Sequence, residues 1–229
     1  MVAETDESSA IFQLHVMLKE INPPIWRRIL VRSDSSIADL HYIIQVAFNW
    51  SDFHLHHFLI RGKKYGISRE GGTTFMTNAK KVYLADFHFR PNERFLYEYD
   101  FGDLWQHQVR FECTQPLHTK RAYPVCIGGS RAAPPEDCGG PWAYMEEVDR
   151  HRFEPPQEEL QFLAKVLKRL VKAEDHEKVG DLIGEPDALR EAVDRVKEYT
   201  AFRPNRFDRR GINRRLKLYG EGNEEWMWQ

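Results

Sequence analysis

Residues 95–112 read "FLYEYDFGDLWQHQVRFE". Apolar and polar residues alternate on both sides of an Asp-Phe-Gly-Asp centre, the pattern of two strands joined by a turn. A two-residue loop at Phe101-Gly102 sets Asp100 opposite Asp103, Tyr99 opposite Leu104, Glu98 opposite Trp105 and Leu96 opposite His107. Directly opposed residues share a sheet face. On that register Leu96, Glu98, Asp100, Asp103, Trp105, His107, Val109 and Phe111 form one side, and Phe95, Tyr97, Tyr99, Leu104, Gln106, Gln108 and Arg110 the other. Asp103 and His107 then stand about 13 Å apart along a strand rising ~3.3 Å per residue. Glu98 is a diagonal neighbour of His107 at roughly 7–8 Å. The local pairs are therefore Asp100 with Asp103, able to share a cation, and Glu98 with His107. The alternative is an ordinary turn, its aspartates bonding nearby amides and Trp105 in the core.

Upstream, Phe12, Leu14, Val16 and Leu18 alternate with polar residues, and "PIWRRILV" repeats the pattern after "KEINPP", which predicts a hairpin. In "SDSSIADLHYIIQVAFNW" the period changes. Ile37, Leu40, Ile43, Ile44 and Ala47 recur at helical spacing, with Ser35 or Ser36 as N-cap and Asp39 in the first turn. "HLHHFLIRGKKYGI" returns to strand character, "EGGTTFMTNAK" reads as a loop, and "KVYLADFHF" as a further strand. Residues 116–141 are loop-like, and the remainder is helical, with Leu160, Leu163, Leu167 and Leu170 on one stripe and Pro186 opening a later helix. The expected architecture is α+β: a β-grasp-like mixed or antiparallel sheet with one packed helix, followed by a helical C-terminal part. Residues 1–10 are expected to be disordered, 11–150 to form the sheet domain, and 151–229 a helical extension packed on it.

The chain has 229 residues, 41% hydrophobic and 30% charged, with a formal net charge of -2. That balance excludes a uniformly basic nucleic-acid binder. Three cysteines make no disulfide framework and fit a reducing, cytoplasmic setting. The start "MVAETDESSA" is no signal or transit peptide, and no apolar run approaches the ~18 residues of a membrane helix.

Other segments carry candidate chemistry. "HLHH" sets His54 and His56 on one strand face, a His-x-His ligand spacing. With Asp100 and Asp103 they are candidate ligands for a divalent metal. In "CIGGSRAAPPEDCGGPW", Gly140-Pro141 suits a helix start, whose free N–H groups suit an anion. Glu136 and Asp137 just ahead are placed for a cation or for acid–base chemistry. The alternative there is a rigid packing loop. The candidate site is thus Glu98, Asp100, Asp103, Trp105, His107, Glu136 and Asp137. Near the C-terminus Arg203, Arg206, Arg209, Arg210, Arg214 and Arg215, interleaved with Phe202, Phe207 and Tyr219, are candidate anion or nucleic-acid contacts. Against that stands a solvated helix flank docked by its aromatics.

"LKEINPPIWRRILV", "LHYIIQVAFNWSDFHLHHF", "YEYDFGDLWQHQVRFE", "YPVCIGGSRAAPPEDCGGPWAY" and "FRPNRFDRRGINRRL" together resemble the plasmid pRiA4b ORF-3-like family, also labelled as a TnpR-type passenger protein of insertion elements. The resemblance runs in order from about residue 11 to 215. It implies an α+β domain with a helical C-terminal part, and a link to plasmids and mobile elements. The matching positions include Trp26, Arg27, Arg28, His54, Asp100, Gly102, Asp103, Trp105, His107, Cys126, Gly128, Pro134, Pro135, Glu136, Asp137, Gly139 and Gly140. A serine resolvase is not expected, because the serines of "TDESSAIFQL" have no basic partners. Two functions follow: a non-enzymatic binding or accessory protein of mobile DNA, contacting a protein or nucleic acid; or a divalent-metal-dependent hydrolase or nuclease built from the 98–107 hairpin and the 134–140 loop.

Overall fold

The computed structural model describes residues 10–69, 72–173, 180 and 184–227. The N-terminal stretch expected to be disordered lies, but for Ala10, outside the described residues. Seven strands form one sheet: β1 (Ile11–Leu18), β2 (Trp26–Arg32), β3 (His56–Ile60), β4 (Lys63–Tyr65), β5 (Arg94–Tyr99), β6 (Trp105–Gln115) and β7 (Val125–Ser130). Their order is β4-β3-β5-β6-β1-β2-β7. Each pairing is antiparallel, so the class is α+β and the sheet is antiparallel rather than mixed. No described helix is long and apolar enough to cross a membrane.

Alternation decides which face is core. Phe12, Leu14, Val16 and Leu18 are buried beside Ile29, Tyr97, Tyr99, Val109 and Phe111. Helix α1 (Ile37–Phe48) adds Leu40, Ile43, Ile44 and Ala47 to the core. Ser36 is its N-cap in a reciprocal capping box with Asp39, and Asn49 closes it at φ 59°. The other sheet face is half-exposed and polar. Glu112 gathers Arg28 at 2.7 and 3.0 Å, Arg110 at 2.8 Å and the Gln13 amide at 2.6 Å. The Arg28 hydrogen bonds, foremost, hold the Glu112 carboxyl down at about 2.

Three sequence expectations change. Within residues 116–141, read as loop-like, Val125–Ser130 form strand β7 by pairing with β2. "KVYLADFHF" is not a strand: Ala79–Lys81 and Leu84–Phe87 are 3-10 turns. The Asp86 carboxylate accepts from the Tyr83 amide, while Leu84 and Ala85 donate to the Ser35 and Ser33 carbonyls. Burying Leu84 and Phe87 at a spacing of three suits a 3-10 turn. The hairpin register also shifts by one. Tyr99 pairs with Trp105, Glu98 with Gln106 and Tyr97 with His107, so the loop is Asp100 to Leu104. Asp100 Oδ1 accepts from the Gly102 and Asp103 amides at 3.0 and 3.3 Å, and the Leu104 amide donates to the Asp100 carbonyl at 2.7 Å. A one-residue slip exchanges faces. Trp105 and His107 therefore join Tyr97 and Tyr99 in the core, and Glu98 faces outward.

Helices α2 (Gly140–Phe153), α3 (Gln157–Lys172), α4 (Pro186–Ala201) and α5 (Arg209–Gly220) follow. The chain divides into two compact units: one runs to Met145 and resumes at Asn205, and the other is Glu146–Pro204. In the second, Glu159 of α3 pairs with Arg195 of α4 at 2.9 Å. In the first, α5 seals the β7 edge. The Asn213 amide accepts from the Cys126 N–H at 2.7 Å and donates to its carbonyl at 2.9 Å, as a neighbouring strand would. Phe207 lies so close to Gly129 that a β-carbon there would collide with its ring. Arg215 is buried, bonded to the Trp226 carbonyl and the Asn49 side chain, and Trp226 is buried too.

Asn213→Ala strands a donor and an acceptor at the β7 edge, and a loss of about 1–3 kcal/mol is expected in urea unfolding. Glu112 supplies a pH dependence. A carboxyl held at about 2 in the fold, against an ordinary 4.5, stabilises above pH 4.5 and loses that contribution as pH falls toward 2. Glu112→Gln should flatten the acid limb of the stability curve over that window, read from urea midpoints.

Candidate functional site

The segment after α1 and the loop before α2 are pinned together by polar contacts. Trp50 Nε1 donates to the Pro134 carbonyl at 2.8 Å. The Ser51 amide donates to Glu136 Oε2 at 2.8 Å, and the Tyr99 hydroxyl to Glu136 Oε1 at 2.5 Å. The Gly139 amide donates to Asp103 Oδ2 at 3.1 Å. Gly140, at φ 80°, lies against the Asp103 carbonyl, where a β-carbon would sit 2.5 Å from the oxygen. The "PPEDCGG" loop thus meets the Asp100–Leu104 turn. Burial, then the Glu136 carboxylate, raise the Tyr99 phenol well above its ordinary value, so it stays a donor.

Three side chains converge there: His54, Asp100 and Asp137, each offering one ligand atom within 4.8 Å of the others. Asp137 Oδ1 is 2.9 Å from His54 Nε2, and Asp100 Oδ2 is 3.6 Å from it. The ring nitrogen is shielded from solvent, yet makes no hydrogen bond of acceptable direction. Close approach without hydrogen-bond alignment suits donors that share an ion. Ligands at ~2.0–2.2 Å from a metal lie roughly 3–3.5 Å from one another. Asp100 is suited to this by its turn: Oδ1 serves the turn amides and leaves Oδ2 for His54. Asp137 is 70% exposed, so the group opens to solvent on one side. One imidazole and two carboxylates match a borderline divalent ion such as Mn2+, Fe2+ or Zn2+.

A second group, His41, Asp52 and His56, is differently constituted. The Tyr97 hydroxyl accepts from Gln45 Nε2 at 2.9 Å and lies 2.8 Å from His41 Nδ1. It therefore donates to Nδ1, leaving the His41 Nε2–H for Asp52 Oδ1 at 2.8 Å. Arg69 takes the same carboxylate oxygen at 2.6 Å. His41 and His56 stack with centroids 3.5 Å apart and planes at 10°, so their in-plane lone pairs run parallel instead of converging. Burial lowers both imidazoles, His56 to about 2. This is a neutral, closed network that ties α1 to the loop bearing Arg69.

The expected site residues are therefore distributed over several environments. Asp100 and Asp137 meet at His54; Asp103 and Glu136 anchor the loop around them. Glu98 turns outward to His57 at 2.7 Å and Gln106 at 2.7 Å. Trp105 and His107 are core; burial holds the His107 imidazole at about 3, and it packs edge-on to Phe48 and Trp50. His54 and His56 do not share a strand face, because β3 begins at His56, and they belong to different groups. Among the arginines, Arg215 is buried and Arg209 donates to the Ile127 carbonyl at 3.2 Å, while Arg203, Arg206, Arg210 and Arg214 are exposed. Sequence reasoning missed His41, Asp52 and Tyr99. The one available signal was the helical spacing that puts His41 on the buried face of α1. Gly140→Ala combines an unfavourable φ with a clash, and should cost about 1–3 kcal/mol in urea unfolding while loosening the loop.

Comparison with other proteins gives a consistent relationship. The uncharacterized protein y4hQ of Sinorhizobium fredii is 32% identical over 139 residues, spanning 60% of this chain and 71% of that protein. The crystal structure of a protein of unknown function, MM3350 from Methanosarcina mazei Go1, shares 32% identity with a TM-score of 0.60, covering 88% of this chain and 97% of that one. The profile of the family described as plasmid pRiA4b ORF-3-like protein matches residues 10–209. Because that match takes in most of the chain, the protein belongs to the plasmid pRiA4b ORF-3-like family.

Proposed function

We propose that this protein binds a divalent cation through His54, Asp100 and Asp137 and acts as a metal-dependent hydrolase. The observation that carries the reading is the approach of two carboxylate oxygens to a shielded imidazole nitrogen without hydrogen-bond alignment. Three mixed N/O donors with one open side suit an ion that keeps a water, the arrangement of catalytic rather than structural sites. The ion would lower the pKa of that water and polarise an oxygen of the substrate. Glu136 and Tyr99 hold the loop and ring in place, the supporting role outer partners take around metal ligands.

The second reading is a non-enzymatic accessory protein of plasmids or mobile elements, of the TnpR-type passenger kind. It is favoured by the family's description and by the exposed arginines of α5. It predicts nucleic-acid binding that weakens steeply with salt; binding with no salt dependence, or none at low salt, argues against it.

Metal titration tests the first reading. Chelator-stripped protein should gain about 2.7 kcal/mol of stability at a cation concentration a hundredfold above Kd. Asp137→Asn, at an exposed position, should leave the metal-free protein within about 0.5 kcal/mol of the parent and weaken cation binding at least ~10-fold. Absence of any thermal shift or binding heat with Mn2+, Zn2+ and Mg2+ sinks the reading.

A further inference from the structure

We propose that helix α3 pairs with α3 of a second copy of this chain, antiparallel, through Leu160, Ala164, Leu167 and Val171. These residues follow one another at intervals of four, three and four, so they lie on one stripe of the helix. The stripe faces solvent. Leu160 is 47% exposed, Leu167 61% and Val171 84%, and Ala164 is exposed as well. Within the unit Glu146–Pro204, α3 meets α4 along a different line, where Val166 is the buried residue of α3 and Ala192 that of α4. Glu159 bonds Arg195 of α4 on that same side. At 3.6 residues per turn, Val166 and Glu159 stand roughly a third of a turn from the middle of the exposed stripe. The pairing with α4 therefore leaves the stripe uncovered. Exposed apolar residues scattered singly call for no account, but a continuous stripe at coiled-coil spacing is a surface for another helix.

Charge and side-chain size select a second copy and its direction. The first turn of α3 carries Glu158 and Glu159, and its second half carries Lys165, Lys168, Arg169 and Lys172. The helix is thus complementary to itself turned end for end: each acidic first turn comes to the basic last turn of the other copy, and the helix dipoles oppose. Parallel copies would set the cationic halves side by side. Size agrees with charge. Antiparallel pairing about the middle of the stripe sets Leu160 against the partner's Val171 and Ala164 against the partner's Leu167, so every layer holds a large residue. Parallel pairing would set Ala164 against the partner's Ala164 and leave a gap between two leucine layers. The contact is self-complementary, as a two-fold dimer requires.

Sedimentation velocity on the full chain, across a range of concentrations, is the test. A monomer–dimer equilibrium is expected, with a dissociation constant on the order of 1–100 µM. Leu167→Glu and Val171→Glu should each weaken it at least ~10-fold at unchanged circular dichroism, since both side chains face solvent. Cross-linking reads the direction. Chains carrying Leu160→Cys, mixed with chains carrying Val171→Cys, should form a disulfide between positions 160 and 171, mapped by mass spectrometry. Leu160→Cys chains alone should form none between their two positions 160. A parent that stays monomeric at roughly 500 µM overturns the proposal, and unfolding of that monomer by Leu167→Glu would show the stripe covered within one chain. A dimer indifferent to both glutamates overturns it as well, placing the contact elsewhere. A disulfide joining two positions 160 overturns the antiparallel arrangement.

Discussion

The two oxygens of the Asp100 carboxylate have different tasks, and much of the structure follows from that division. Oδ1 accepts the Gly102 and Asp103 amides and fixes a five-residue turn. The turn length sets the β5–β6 register, and the register decides which side chains enter the core. Tyr97, Tyr99, Trp105 and His107 go inward together, and Glu98 goes out to His57. Oδ2 is left facing His54. One side chain thus links the hairpin's geometry to the His54–Asp100–Asp137 group at its end.

Much of the architecture was legible from period alone. The alternation in β1 and β2, the 3.6-residue spacing of α1 and the Ser36–Asp39 capping box state their own structures. The site was legible only in part. Asp100 and Asp137 lie in segments whose meeting could be inferred, yet the partner that joins them is His54, which a strand reading had tied to His56. The reason is local. Asp52 adopts φ 59°, so the chain bends just before His54 and the alternation begins only at His56. The register error has the same origin: a side chain accepting from backbone amides lengthens a loop without changing the hydrophobic pattern around it. The "LADF" turn is a third case, where spacing by three and spacing by two cannot be told apart over four residues.

Two histidine-bearing groups lie a few residues apart in sequence and differ in what surrounds them. His41 is closed off by Tyr97 and Asp52, Asp52 by Arg69, and His56 Nε2 accepts from the Ile67 amide, while burial lowers both imidazoles. In the His54 group the carboxylates approach without completing hydrogen bonds, and one of them reaches solvent. Satisfaction of polar atoms is what separates the two groups: His41 is fully hydrogen-bonded, and His54 Nε2 is not.

The seal on β7 has a consequence for assembly. A terminal strand with bare amide and carbonyl groups is a template on which another chain can extend the sheet. Here the stop is not in the strand itself but in a side chain arriving from the far end of the sequence, Asn213. Shortening the polypeptide before α5 would remove that stop and leave the Cys126 amide and carbonyl open on the β7 edge to a strand of another chain.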